Sequence, residues 1–215
     1  MGLLFTVVGA SLAAIRFSRP SASGLPTVDF SNEDLKRKYE APSGLCPWRN
    51  PDADTKRFFP KANVHREVFM TMSRHALTLQ KRFGRSLSAE DTGVPVHVLL
   101  QGDRLLGFVI PRRLKGENGA VEIALALEPS GKVLGWNLQR LREPDAVAQA
   151  LRSAAFSGRV AGKTVKEAWT LGKDFPNLPA EAQKTGQAIL DGAKSALVLY
   201  EVGGAGIVTT GDENP

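Results

Sequence analysis

Three features of the sequence predict an α+β fold: an antiparallel β-meander sheet packed against helices, with an N-terminal apolar segment and an extended arm in front. Between Val96 and Glu143, four strand patterns succeed one another with turn residues between them. Asn63 to Phe83 and Asn177 to Tyr200 carry apolar residues at helical spacing, and the first sixty residues change from an uncharged apolar run to a stretch rich in Pro, Ser and Gly.

At 215 residues, the chain is long enough to bury a core without metals or disulfides. Cys46 is its single cysteine, so no intramolecular disulfide or clustered thiolate site can form. The formal charge is +6. Residues 1–94 hold 14 basic against 9 acidic residues, and residues 95–215 hold 14 against 13, so the excess sits in the front half. Lys36-Arg37-Lys38 is the longest basic run, which suits a solvated basic surface as well as an anionic partner.

Met1 to Ile15 contains no charged side chain. As a helix it would span roughly 22 Å, short of the roughly 30 Å hydrocarbon layer. A short or tilted membrane anchor, a cleaved export signal and a buried core helix all remain open. The missing basic n-region counts against a signal, and Arg16 and Arg19 beyond the run favour a cytoplasmic body by the positive-inside rule. From Phe17 to Pro60, six prolines break every candidate helix except a short one near Asn32 to Tyr39. In this arm, Trp48 and Arg49 form a candidate partner contact, since a loop Trp caps an apolar groove or meets another protein. Packing of Trp48 on the domain's own surface is the alternative.

Val64, Val68, Met72, Ala76, Leu79 and Phe83 recur every three or four residues, and Gly84 stands at a capping position. A helix over Asn63 to Phe83 is predicted. His65 and His75 would then lie about 280 degrees apart around it and share no metal ion; with His97 they read as surface or core-edge histidines. In the meander, the Gly102-Asp103, Gly116 to Gly119 and Pro129-Ser130-Gly131 turns separate strands ending near Gln101, Ile110, Leu127 and Arg140. Val121 to Glu128 alternates with period two, the mark of a half-buried strand. Glu122 and Glu128 on its polar face would be about 20 Å apart, too far to act as an acid and base pair. Asp145 to Ala155 is read as a helix. Asn177-Leu178-Pro179 starts another that runs to about Tyr200, with Ala182, Gly186 and Ala193 small enough for close packing. A frayed tail is expected from Gly203.

No phosphate-binding glycine loop, nucleophile elbow or metal-ligand spacing is present, so no catalytic or metal-ligating residue is assigned. Phe108 and Trp136 are the only aromatics of the meander, too few for a nucleic-acid-binding sheet. Glu143, between Arg142 and Pro144 at the rim of the sheet, either closes the next helix by charge or orients a ligand.

Phe59-Pro60-Lys61-Ala62, Gly107, the Gly116 to Gly119 turn, Glu128 to Gly135, Arg142-Glu143-Pro144 and Gly162-Lys163 follow a pattern over about residues 58–200. It resembles the FMN-binding domain found in the small extracytoplasmic subunits of Rnf and sodium-pumping NADH:quinone oxidoreductase complexes and in NosR-type regulators. In that family a Glu-Thr pair follows the meander, and a Ser/Asp-Gly-Ala-Thr segment before the terminal helix carries FMN through a phosphoester bond to its Thr. Here Glu143 matches the Glu, Pro144 replaces the Thr, and Lys173 to Ala180 contains no hydroxyl side chain.

The resemblance therefore implies the fold together with one of two states. Either FMN is held without a covalent bond, with Arg142, Glu143 and Lys163 as the cofactor-binding residues, or no cofactor is bound. The second is preferred, and with it an accessory subunit of a membrane-attached electron-transfer complex, on the extracytoplasmic side, without catalysis of its own. A flavin-carrying electron-transfer protein and a soluble basic protein on an anionic macromolecule are the alternatives. The domains read as an anchor or signal segment at 1–17, an arm at 18–57, the FMN-binding-like domain at 58–202 and a tail at 203–215.

Overall fold

The fold is set by one long antiparallel ladder. The computed structural model describes residues 50–204; Cys46, Trp48, Arg49, the apolar N-terminal run, the Asn32 to Tyr39 helix and the tail beyond Gly204 lie outside the described residues. Five strands, β1 (Val64–Thr71), β2 (Gly93–Gln101), β3 (Arg104–Lys115), β4 (Ala120–Leu127) and β5 (Val133–Leu141), pair in sequence order. Helix α1 (Asp52–Phe58) precedes them, and α2 (Ala76–Phe83) and the single turn α3 (Ala89–Thr92) join β1 to β2. After β5 come α4 (Asp145–Arg152), the short α5 (Ala154–Ser157) and the long α6 (Ala180–Gly203). The predicted α+β class is the observed one.

β1 is where sequence and structure part. The helix expected from Asn63 starts only at Ala76, and Val64–Thr71 forms an edge strand against β2, with His65 opposite Leu99 and Glu67 opposite His97. A spacing of four satisfies a strand's period of two as well as a helix's 3.6, so Val64, Val68 and Met72 fit both. The unpaired edge of β2 decides it. The C-terminal half of the prediction holds: Gly84 closes α2 at φ 63°, the left-handed conformation that glycine adopts without strain.

β3 runs past Ile110 to Lys115. Pro111 is tolerated because β2 and β3 pair only as far as His97 and Val109, so its missing N–H lies where the ladder has already opened. β4, expected to be half-buried, is buried from Val121 to Leu127 on both faces. Val121, Ile123, Leu125 and Leu127 join the main core with α2 and α4 to α6. Ala124 and Ala126 lie in a second, smaller core with Phe59, Leu99 and Val109.

α1 supplies that second layer from within the stretch read as an arm. Pro51 sits at its N-cap, before the first helical residue, where the missing N–H takes away no intrahelical bond. Its buried Asp54 accepts hydrogen bonds from Asn137 Nδ2 at 2.6 Å and Gln139 Nε2 at 2.5 Å. The Phe59 ring lies against Gly107, where a Cβ would come within 2.6 Å of it and 2.2 Å of the Leu127 carbonyl. Phe59 and Gly107 thus depend on one another.

α4 stops at Arg152, earlier than Ala155, because Ser153 turns extended (ψ 146°) and its Oγ accepts from Phe156 N to start α5. α6 begins after Pro179 as expected and extends to Gly203, the first residue of the expected tail. Its small residues let it lie close to the sheet: a Cβ at Gly192 would meet Leu114 Cδ2 at 2.2 Å. Among the described residues no helix is long and apolar enough to cross a membrane.

Candidate functional site

The rim of the sheet at the end of β5 holds two of the residues that the sequence singled out, Arg142 and Glu143, together with Thr185, Asn118 and Glu117. Glu143 makes no hydrogen bond to the start of α4, where Pro144 is the N-cap and no side-chain cap bond forms. Its carboxylate turns to the β3–β4 loop instead. Oε1 accepts from Thr185 Oγ1 at 2.7 Å and Asn118 N at 3.2 Å, and Oε2 accepts from Asn118 Nδ2 at 2.5 Å. The Thr185 hydroxyl also accepts from Glu117 N at 2.8 Å. One carboxylate therefore fastens the loop to α6. The close approach explains Gly116, where a Cβ would come within 2.5 Å of Glu143 Oε1.

Partial burial works to raise the Glu143 pKa. The hydrogen bonds from Asn118 and Thr185, with the backbone N–H groups of Asn118 and Glu117, outweigh it and hold the carboxyl below its ordinary range. Thr185, fully buried, was invisible to sequence reasoning because it stands inside a helix, away from any motif. Asn118 and Glu117 lay within a recognised turn and gave no sign of their partner.

Arg142 is exposed, with its Cβ over Gly119. Lys163 is elsewhere. Its carbonyl accepts from Val133 N at 2.9 Å, and its Nζ stands over the Phe175 ring, 5.2 Å from the centroid. Val133 starts β5 and Leu141 ends it, so Lys163 and the Arg142–Glu143 pair are separated by the length of the strand, about 25 Å. These side chains cannot meet on one phosphate group.

The loop before α6 is closed by its own residues. The Thr170 carbonyl accepts from the N–H groups of Asp174 and Phe175, and Gly172 N donates to the Phe175 carbonyl at 2.8 Å. Phe175 is buried against Trp136, Phe156 and Trp169, with ring centroids 5.6 to 6.4 Å away. Gln187 of α6 donates to the Trp169 carbonyl and accepts from Leu171 N.

Two further polar clusters were unread in the sequence. Buried Asp91 accepts from Arg85 Nη1 at 2.7 Å, Arg112 Nη2 at 2.8 Å, and both Ser88 N and Oγ. Burial opposes its charge, but these donors hold the carboxyl well below the usual range. Glu122, expected on a polar face, is fully buried and receives Arg113 Nε and Nη2 at 3.1 and 2.9 Å. Instead of sharing a helix with His75, His65 lies on β1 and meets His97 Nδ1 through its Nε2 at 3.0 Å. Burial depresses the His97 pKa most; His65 lowers it further, and Glu67 and Asp52 oppose. Among the described residues no group of three or more His, Cys, Asp or Glu could hold a metal ion.

No family model matches the chain. Over 102 residues it is 28% identical to a subunit of the proton-translocating ferredoxin:NAD(+) oxidoreductase complex of Clostridium ljungdahlii, a match covering 45% of this chain and 55% of that protein. The chain thus spans about half the length of the curated relative it matches.

Proposed function

We propose that this chain is an accessory subunit of a membrane-attached electron-transfer complex, built on an FMN-binding-like domain that carries no covalent flavin. The observation that carries this reading is the similarity to a subunit of an oxidoreductase complex. It agrees with the pattern of turn glycines and strand residues described above. Three details support the absence of a flavin bond. Lys173 to Ala180 offers no hydroxyl side chain. Phe175, in the middle of that loop, is spent on the core. Glu143 is engaged on both oxygens by Thr185 and Asn118.

A noncovalent flavin phosphate held jointly by Arg142 and Lys163 does not fit the roughly 25 Å between them. The chain's proposed contribution is architectural: α1, the sheet and α6 offer a docking surface, and Trp48 and Arg49 in the preceding arm are the proposed contacts with neighbouring subunits. The apolar run at 1–17 is the proposed membrane attachment, with the domain on the extracytoplasmic side.

The decisive experiment is an absorption and fluorescence spectrum of the protein purified from its native membrane, repeated after denaturation and removal of small molecules. The expected protein is colourless and copurifies with other subunits. Flavin that stays with the denatured chain overturns the reading, and flavin that is released assigns a noncovalent carrier.

A further inference from the structure

We infer that the groove between α2–α3, the end of β3 and α6 binds an amphipathic organic anion, a phosphate or carboxylate head on an apolar body. The groove encloses about 600 Å³, within the roughly 300–1,000 Å³ of small-molecule sites. Phe83, Leu114 and Val198 give it an apolar floor, while six of its fifteen lining residues are Arg or Lys against two acids. The sign of the rim is therefore positive.

Several of these cations are already committed: Arg85 to Asp91 and Arg82 to Glu201. Others are not. Lys115, at the end of β3, is exposed and has no partner among the described residues. Lys194, from α6, makes only a 3.4 Å contact to the Glu167 carbonyl. Arg112, 4% exposed, gives its two terminal nitrogens to the Glu90 carbonyl and to Asp91, but its Nε–H is buried without an acceptor. That nitrogen is sealed from solvent, so Arg112 acts on the groove it lines through its positive charge and not through a hydrogen bond. Uncommitted cations on two elements around one apolar floor repel each other until an anion lies between them.

The floor separates this from simple phosphate binding. An inorganic anion would use the rim and leave Phe83 and Leu114 wet, whereas an apolar body covers them. Glu90 is the one lining acid on the α3 side and works against the ligand's charge.

The test is titration of the full chain with hexyl phosphate, inorganic phosphate and hexanol, read by calorimetry and by thermal shift. Hexyl phosphate is expected to saturate one site and to bind about tenfold more tightly than inorganic phosphate, with hexanol inert. Lys115→Glu with Lys194→Glu should weaken it by about tenfold or more, and Glu90→Gln should tighten it. Circular dichroism checks that the variants fold. Equal binding of the two phosphates, binding indifferent to these substitutions, or no binding overturns the inference. Vesicles of phosphatidylglycerol separate the two sources of such an anion: capture lost in the double variant assigns a lipid headgroup, and hexyl phosphate binding without vesicle capture assigns a soluble ligand.

Discussion

Glu143 shows how much one residue can be read and how much cannot. Its position after the last strand, between Arg142 and Pro144, marked it as a functional carboxylate, and both roles open to it assumed a nearby helix end or a ligand. The structure gives it Thr185 and Asn118, residues 42 and 25 positions away, which no spacing rule connects. The consequence is testable. Thr185→Val keeps the shape but removes the hydroxyl, taking away the acceptor of Glu117 N and leaving Glu143 Oε1 with only the 3.2 Å bond from Asn118 N. The expected cost is about 1–3 kcal/mol, read as a lower urea midpoint at unchanged m-value, and Thr185→Ser should recover most of it. A Thr185→Val midpoint equal to the parent's would mean that water replaces the hydroxyl and the loop is not fastened there.

At the level of elements, the meander and α6 were legible and β1 and α1 were not. Turn glycines and the alternation of Val121 to Leu127 announce strands locally. Pro179 and the small residues of α6 announce a helix that packs closely. β1 is an edge strand whose pattern fits two periods, and only the exposed ladder of β2, which no local sequence displays, decides between them. α1 was hidden by the prolines around it, although Pro51 stands just before the first helical residue, where its missing N–H breaks no intrahelical bond, and Asp54 waits for Asn137 and Gln139 on β5.

The closeness of α6 to β3 gives a prediction with competing terms. Gly192→Ala gains about 1 kcal/mol of helix propensity, but its Cβ would lie 2.2 to 2.9 Å from three atoms of Leu114. Overpacking of this kind costs about 1–3 kcal/mol. The displaced group is most of a side chain and not a flexible tip, so a net loss is expected. Leu114→Ala in the same chain should make the second change cheaper than its cost alone, a non-additivity that thermal unfolding of the four variants measures.

For the whole molecule, the polar clusters set how stability depends on pH. His97 is held below its ordinary value of 6.5, so its contribution is complete above that pH and is lost as pH falls through the folded value. Asp91 and Glu143 are also lowered, from 3.8 and 4.5. Their contributions are complete above those values and vanish as pH falls below them. Glu90 runs the other way. Burial raises it despite Arg112 and Arg113, so its contribution is full below 4.5 and is lost as pH rises through the folded value. A profile of melting temperature against pH should therefore descend in two stages, one below 6.5 from His97 and a steeper one below about 4 from Asp91 and Glu143, with Glu90 partly offsetting the interval between. His97→Gln should remove the first stage alone. Asp91→Asn leaves buried Arg112 without its counter-charge, which costs about 3–5 kcal/mol at neutral pH, and it should flatten the second stage. A single descent unaffected by His97→Gln would show that the pair with His65 is too weakly coupled to folding to matter, and that the acid behaviour of the molecule rests on its carboxylates alone.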